Sequence, residues 1–285
     1  MPEAEPAPGV LYLVGTPIGN LDDLSPRARR VLARVDRIAC EDTRHSGRLL
    51  AGLEARGRLI SFHRHNRRSR LPQLLDALAA GESVAVISDA GLPGLADPGE
   101  ELVAAARAAG HAVICVPGPS AVTTALVSSG LPTGRFCFEG FLPPKPAARR
   151  ARLRQLAGEE RTTVLFEAPH RLVALLEDLL SELGDRPLQV ARELTKRHEE
   201  QVGPSVAAAL EHFRRTPPLG ECTLVLGGAP PSTAPWEPER LRAELERLRA
   251  GGLSASEAAR TLAARSGHDR RALYALLHDD RADSP

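Results

Sequence analysis

The segment VAVISDAGLPGLADPG, at residues 84–99, decides the fold of this chain. Its first four residues form a continuous apolar run, which is typical of a buried strand. The remainder, 88–99, is a loop rich in Gly and Pro, and Asp97-Pro98 predicts the start of a helix that runs to Ala109. Glycine lets a ligand approach the backbone, and open α/β sheets bind ligands beyond the carboxyl ends of their strands. We therefore expect this loop to line a ligand site.

The same order of strand, loop and helix recurs on both sides of this segment. Apolar runs at 10–14, 37–40, 59–62, 84–87 and 112–116 alternate with predicted helices, which indicates a parallel sheet covered on both faces. Further strands are expected at 136–141, 163–166, 188–191 and 223–226, so the fold class is α/β. We predict a flexible tail at 1–9, α/β domains at 10–130 and 131–229, a linker at 230–237, and a helical tail at 238–285 with helix-turn-helix-like spacing.

Composition disfavours several classes of protein. The 285 residues are 42% hydrophobic and carry a formal net charge of +1, and no run of about 18 apolar residues exists to cross a membrane. The N-terminus lacks the basic region of a signal peptide, so we expect a cytoplasmic protein. The four cysteines form no CxxC pair and the histidines have no third ligand nearby, so we expect no metal. The absence of GxGxxG and Walker A patterns argues against NAD enzymes and nucleotide triphosphatases.

Acidic residues follow the second predicted strand, at the same edge of the sheet as the 88–99 loop. The sequence there is Cys40-Glu-Asp-Thr-Arg44. Glu41 and Asp42 are therefore candidates for a general base or for orienting a substrate. Asp42 has an alternative interpretation as the N-cap of the next helix, because an aspartate at that position accepts a hydrogen bond from the first turn.

Two stretches without acidic residues carry positive charge. Residues 56–70 hold six Arg and two His, and residues 145–154 hold one Lys and four Arg. Such stretches are usually solvated faces, but two of them in a nearly neutral chain favour a polyanionic partner such as RNA. The candidate RNA-contacting residues are Arg44, Arg64, Arg67, Arg68, Lys145, Arg149 and Arg150. A rival hypothesis, a non-enzymatic nucleic-acid regulator acting through the helical tail, leaves the 88–99 loop unexplained.

Seven motifs, in this order, resemble one family of enzymes. They are TPIGN at 16–20, CEDTR at 40–44, SFHRHN at 61–66, the 88–99 loop, VPGPSA at 116–121, FEAPHR at 166–171 and RELTK at 192–196. Together they resemble the tetrapyrrole methylase superfamily, the class III S-adenosylmethionine-dependent methyltransferases, and within it the branch that acts on small-subunit ribosomal RNA. The similarity extends from about residue 10 to 228, and the helical tail also resembles that branch.

The resemblance implies a fold, a reaction and partners. It implies two α/β domains with S-adenosylmethionine in the cleft between them, and a small C-terminal helical domain. It implies 2′-O-methylation of a cytidine ribose in 16S ribosomal RNA, with the RNA or the 30S subunit as substrate, and a homodimer. The alternative is a methyltransferase of the same class that acts on a tetrapyrrole or another small molecule.

The resemblance also implies site residues. The expected cofactor contacts are Pro17, Asp89, Gly91, Leu92, Ser120, Ala121, Phe166, Glu167, Ala168 and Thr223. The candidate catalytic residues are Glu41, Asp42 and Lys196; Lys196 is one of only two lysines, and lysine loses its proton on desolvation more readily than arginine. A salt bridge from Lys196 to Glu193 or Glu199 is the alternative. Arg64 and Arg67 depart from the family pattern by standing where acids are usual, which makes 61–67 more basic.

Overall fold

The computed structural model describes residues 6–97, 99–230 and 236–277, with the backbone but not the side chain of Arg265. The chain divides into two compact units, Met1–Ala229 and Pro230–Pro285. Parts of the predicted tail (1–5), linker (231–235) and C-terminal tail (278–285) lie outside the described residues. Residues 6–9 of the predicted flexible tail are anchored instead, because the Ala7 N–H donates to the Tyr12 hydroxyl at 2.8 Å and the Gly9 N–H to the Gly81 carbonyl at 3.1 Å.

The first sheet of the larger unit is entirely parallel. Its strands are β1 (Leu11–Val14), β2 (Arg37–Cys40), β3 (Arg58–Ser61), β4 (Val84–Val86) and β5 (Val113–Val116), in the order β3-β2-β4-β1-β5. The helices that follow these strands are α1 (Pro26–Arg34), α2 (Thr43–Ala51), α3 (Arg67–Ala79), α4 (Glu100–Ala108) and α5 (Ala121–Ser128). Neighbouring residues of a strand face opposite sides: Leu11 packs with α3 and α4, and Tyr12 packs with α1 and α2. Helices therefore cover both faces of this sheet, which explains why apolar strands alternate with helices along the sequence.

Helix α3 begins earlier than expected. The sequence predicts a helix from Pro72, whereas the observed helix starts at Arg67 and contains Pro72. Asn66 organises the preceding turn, since its Oδ1 accepts the His63 N–H at 2.8 Å and its Nδ2 donates to the Ser61 carbonyl at 3.1 Å. The end of the basic stretch 56–70 is therefore the first turn of a helix.

The second sheet of the same unit is mixed. Its strands are β6 (Phe136–Phe141), β7 (Thr162–Glu167), β8 (Leu188–Arg192), β9 (Glu200–Val202) and β10 (Cys222–Leu226), in the order β6-β7-β10-β8-β9. The helices are α6 (Pro146–Gln155), α7 (Pro169–Leu183) and α8 (Val206–Arg215). Only β6 and β7 pair in parallel. The connection between β8 and β9 is too short for a parallel crossover, and β9 is a short polar edge strand that the hydrophobic pattern did not predict.

Within its described residues, the smaller unit contains three helices. They are α9 (Pro238–Ala250), α10 (Ala255–Ser266) and α11 (Arg270–Leu276), packed around a core that includes Leu241, Leu245, Leu262 and Leu273. Ser254 and Glu257 form a capping box at the start of α10. Gly267 ends that helix with a φ of 70°, a left-handed conformation that glycine adopts readily. No helix within the described residues is both long and apolar enough to span a membrane.

Candidate functional site

Three loops at the carboxyl edge of the parallel sheet are joined to one another. The Thr16 N–H donates to the Gly91 carbonyl at 2.9 Å, and the Gly91 N–H donates back to Thr16 at 3.1 Å. The buried Thr16 hydroxyl donates to the Ser88 carbonyl at 3.1 Å. On the other side, Gly15 lies so close to Gly118 that a Cβ built on Gly15 would be 2.7 Å from the Gly118 Cα. The loops after β1, β4 and β5 therefore form one continuous wall.

A cavity of about 340 Å³ is lined by this wall and by the second sheet. Its volume lies in the range of roughly 300–1,000 Å³ that is usual for small-molecule sites. Among the described residues, the lining includes every predicted cofactor contact except Pro17: Asp89, Gly91, Leu92, Ser120, Ala121, Phe166, Glu167, Ala168 and Thr223. Residues that are far apart in the sequence are thus brought to one place.

The second sheet supplies its part of the lining from adjacent strands. In the antiparallel pair of β7 and β10, Thr223 stands opposite Phe166 and Cys222 stands opposite Glu167. Burial raises the pKa of the Cys222 thiol to about 12, so this thiol is protonated at neutral pH. Phe166 packs against the ring of Phe141, with ring centroids 5.5 Å apart, and both rings line the cavity.

Glu167 is a buried carboxyl in this lining. Its Oε1 accepts the Ala168 N–H at 2.9 Å, and its Oε2 lies 3.0 Å from the Arg171 guanidinium. Burial raises the pKa of Glu167, while the Ala168 hydrogen bond and the Arg171 charge oppose that rise. Arg171 in turn donates to the Leu142 carbonyl at 2.9 Å, so Glu167 and Arg171 connect the ends of β6 and β7.

Three acidic side chains lie near the parallel-sheet side of the cavity. Asp89 and Asp97 line the cavity, and Glu41 follows the neighbouring strand β2. Burial, followed by the charges of Glu41 and Asp89, raises the pKa of Asp97 to about 7. Burial and the charge of Asp89 also raise the pKa of Glu41, against the opposing effect of His63. The sequence indicates Asp97 only as part of a helix start; the signal for its position at the cavity is its place with Asp89 in one Gly/Pro-rich loop.

Asp42 acts as a helix cap. Its carboxylate accepts the Arg44 backbone N–H at 2.8 Å at the start of α2, and this hydrogen bond is the main cause that lowers the pKa of Asp42. A lowered pKa makes a carboxylate a weaker proton acceptor. Of the two interpretations, the cap is present in the structure; the lowered pKa disfavours Asp42 as a base, and its catalytic assignment stays a prediction.

Lys196 is held in an ion-paired cluster. Its ammonium donates to Glu193 at 2.8 Å and to Glu221 at 2.9 Å, and Glu221 also lines the cavity. Burial by itself lowers the pKa of Lys196, but the two carboxylates outweigh it and the pKa is raised. A lysine base needs a lowered pKa. The salt-bridge alternative is present, with Glu193 and with Glu221 in place of Glu199, and it disfavours Lys196 as a base; the catalytic assignment of Lys196 stays a prediction.

The two basic stretches differ in exposure. In the first, Arg64 and Arg68 are exposed, and Arg67 pairs with Glu101 of α4 at 3.2 Å. Arg44, which follows the adjacent strand β2, has 92% of its side chain exposed and only a 3.5 Å contact with Asp42. Because β2 and β3 are neighbouring parallel strands, these arginines lie at one edge of the sheet.

The second stretch is neutralised within the fold. Arg149 is buried, pairs with Asp178 of α7 at 2.7 Å, and presents no charge to solvent. Arg150 lies 3.5 Å from the same carboxylate, and Arg152 pairs with Glu139 of β6 at 2.7 Å. The predicted RNA contact at Arg149 is therefore wrong, because acids distant in the sequence surround α6. Lys145 remains exposed.

The described residues contain no group of three or more His, Cys, Asp or Glu side chains placed to hold a metal ion. The site is instead a cavity with apolar walls, a few polar groups and an acidic margin. Two β-sheets packed with helices, with a cavity between their loops, define the class of protein. Comparison with known proteins identifies that class.

The model of the tetrapyrrole (corrin/porphyrin) methylases matches residues 10–210, and the chain belongs to this family. Solved structures agree: the uroporphyrin-III-C-methyltransferase of Thermus thermophilus is 26% identical with a TM-score of 0.56, over 77% of this chain and 94% of that chain. A cobalt precorrin-4 methyltransferase, at 18% identity and a TM-score of 0.57 over 77% and 95% of the two chains, shares the fold.

Within the family, the chain is most informatively compared with curated relatives that share one name. The chain is 50% identical to "Ribosomal RNA small subunit methyltransferase I" of Synechocystis sp., over 96% of this chain and 99% of the relative. It is 46% identical to the protein of the same name from Mycobacterium tuberculosis, over 97% of each chain. The resemblance inferred from the seven motifs, the fold class and the assignment as a methyltransferase are thereby confirmed.

Proposed function

We propose that this protein transfers a methyl group from S-adenosylmethionine to the 2′-hydroxyl of a cytidine in 16S ribosomal RNA. The observation that carries the proposal is the cavity, which unites the motif residues of both sheets in a chain similar over nearly its full length to small-subunit ribosomal RNA methyltransferases. The cytidine and the ribose oxygen come from the family resemblance alone.

The lining of the cavity fits the chemistry of S-adenosylmethionine. Phe166, Phe141 and Leu95 supply apolar surface for an adenine ring. Ser120 begins α5 without a side-chain cap hydrogen bond, and the first N–H groups of a helix lack partners within it. This end of α5 suits the carboxylate of the methionine moiety. Asp89 suits its positive charges.

The bound cofactor would supply a methyl group already activated by its positively charged sulfur. The protein then has to align the attacking oxygen, the methyl carbon and the sulfur, which contributes on the order of 7–11 kcal/mol. The joined loops around Thr16, Gly91 and Gly118 provide a preorganised frame for that alignment. Cys222, whose pKa of about 12 keeps it protonated, is a poor competitor for the methyl group.

The exposed arginines at the edge of β2 and β3 support an RNA substrate. Arg44, Arg64 and Arg68 carry no strong ion pair within the described residues and stand near the acidic margin of the cavity. Lys145 adds an exposed charge on the second sheet. We propose that this surface holds the phosphates on either side of the methylated nucleotide.

The single variants Arg64→Ala and Arg68→Ala are each expected to bind RNA more weakly than the wild type, with an affinity that depends less steeply on salt concentration. Each lost phosphate contact should reduce the slope of log K against log salt concentration by about 1. The measurement is filter binding of small-subunit RNA at several salt concentrations. Arg30→Ala, which removes an exposed arginine of α1, is the control and should leave the slope unchanged. An unchanged slope in both Arg64→Ala and Arg68→Ala would remove these residues from the RNA surface.

Replacing Lys196 by arginine is expected to preserve methyl transfer. Arginine keeps the positive charge between Glu193 and Glu221, so the single-turnover rate should stay within about fivefold of the wild type. A loss of about 100-fold or more would instead restore Lys196 as a proton acceptor. The assay is rapid-quench transfer of labelled methyl to unmodified small subunits.

The site of methylation is tested with the same labelled product. Alkaline hydrolysis leaves a protected dinucleotide where the 2′-oxygen carries a methyl group, and a free mononucleotide where a base carries it. Label in a protected dinucleotide supports ribose methylation. Transfer of label to a tetrapyrrole but not to RNA, subunits or ribosomes would favour the alternative function.

We also propose that the protein acts as a homodimer in the cytoplasm, as the resemblance implies.

A further inference from the structure

The acidic margin of the cavity carries charges without partners among the described residues. Glu41, Asp89 and Asp97 make no hydrogen bond or ion pair with the part of the chain that the structure describes, whereas half-buried carboxylates such as Glu139 and Glu182 contact an arginine. Mutual repulsion between unpaired carboxylates destabilises a fold. An arrangement of this kind is characteristic of catalytic groups rather than of structural ones.

The three carboxyls are not equivalent in position. Asp89 and Asp97 line the cavity itself, whereas Glu41 follows β2 and acts on Asp97 through its charge. Asp89 is exposed, and Asp97 is only half-buried, so water and substrate reach both. Of the two carboxyls at the cavity, Asp97 is the one whose surroundings favour accepting a proton.

We propose that Asp97 is the catalytic proton acceptor for the methylated hydroxyl, with Glu41 and Asp89 tuning it. This inference rests on the proposed function. As the bond from oxygen to the methyl carbon forms and the carbon–sulfur bond breaks, the hydroxyl proton passes to the Asp97 carboxylate. The electron pair of the broken bond stays on sulfur, which becomes a neutral thioether. Asp97 then releases its proton to water.

The charged groups around Asp97 predict the pH dependence. A pKa of about 7 leaves the carboxylate available near neutral pH and makes it a stronger proton acceptor than an ordinary aspartate. The rate should therefore rise with pH to a plateau that begins at or below about 7, because the positive charge of bound S-adenosylmethionine lowers the pKa of the neighbouring carboxylate. Glu41 and Asp89 face Asp97, and His63 moderates Glu41, so loss of the Glu41 charge should lower the pKa of Asp97.

The stability of the cofactor-free protein gives an independent measure. Because the folded protein holds the Asp97 proton up to pH 7 and the unfolded chain releases it near 4, the folded state binds more protons between these values. The free energy of unfolding should therefore fall as pH rises from about 4 to 7. This fall should be smaller in Asp97→Asn and should be complete at a lower pH in Glu41→Gln.

The experiment compares wild type, Asp97→Asn, Glu41→Gln and the control Asp76→Asn, an exposed carboxylate of α3. We expect Asp97→Asn to lower the single-turnover rate at pH 8 by about 100-fold or more, with affinity for S-adenosylmethionine changed less than the rate. Glu41→Gln should move the rise of the rate to lower pH, and Asp76→Asn should match the wild type.

The outcomes separate this inference from the function on which it rests. A wild-type protein that transfers no methyl group to RNA overturns both. An active wild type with an equally active Asp97→Asn variant of unchanged pH profile overturns only the role of Asp97. An Asp97→Asn variant whose rate loss is matched by lost cofactor affinity makes Asp97 a binding residue and also overturns the inference.

Discussion

Substitution of Gly15 by alanine is expected to lower the free energy of unfolding by about 2–3 kcal/mol. A Cβ at this position would lie 2.7 Å from the Cα and 2.8 Å from the N of Gly118. Both atoms belong to the backbone of the loop after β5, so no side-chain rotation relieves the overlap. The loops after β1 and β5 would have to separate, which opens the wall of the cavity. Urea denaturation measures the effect as a lower midpoint with an unchanged m-value.

Gly47 supplies the matched control. It lies within α2, and a Cβ built there meets no atom within 4 Å. Gly47→Ala should raise the free energy of unfolding by about 0.5–1 kcal/mol, because alanine loses less conformational entropy in a helix than glycine. Equal stability of Gly15→Ala and wild type would show that the two loops are not packed as described.

Substitution of Ala121 by leucine is expected to weaken binding of S-adenosylmethionine by about 10- to 100-fold. Ala121 lines the cavity at the first turn of α5, next to Ser120. The larger side chain would occupy space that the cofactor needs. Because Ala121 also packs partly against the core cluster of Ile18 and Val122, stability should fall by about 1–3 kcal/mol, which leaves the protein folded for the binding measurement. Isothermal titration calorimetry measures the affinity.

Ala108→Leu is the control for the added side chain. Ala108 is exposed at the end of α4 and does not line the cavity. Its replacement should leave cofactor affinity unchanged. If Ala121→Leu also bound S-adenosylmethionine with wild-type affinity, the cavity would not be the cofactor site.

Much of the candidate site followed from local sequence. The Gly- and Pro-rich loop at 88–99 and the PGPSA motif ending at Ala121 follow β4 and β5, whose carboxyl ends share one edge of the parallel sheet. The FEAP motif begins inside β7 of the second sheet. The identity of the expected cofactor, S-adenosylmethionine, came from the resemblance to the family. These motifs could be found from the sequence because the conformation of a turn or of a helix start depends on a few adjacent residues.

Other roles depended on partners that sequence order does not reveal. Arg149 belongs to an acid-free stretch, yet Asp178 neutralises it from α7. Lys196 meets Glu221 from 25 residues away, and this carboxylate together with Glu193 outweighs burial and raises the pKa of Lys196. The sequence shows which side chains are charged, but the tertiary packing determines which groups lie next to them.

The sequence by itself determined the family, the position of the ligand loops and the succession of strands and helices apart from β9. Only the tertiary structure decided which ionisable groups are available for chemistry: it paired Lys196, made Asp42 a cap, buried Arg149 and placed Asp97 beside the cavity with no ion pair to any described residue. The physical reason is the difference in range between the two kinds of interaction. Backbone preferences and hydrophobic periodicity act between near neighbours in the chain, whereas burial and Coulomb interactions depend on distances in space.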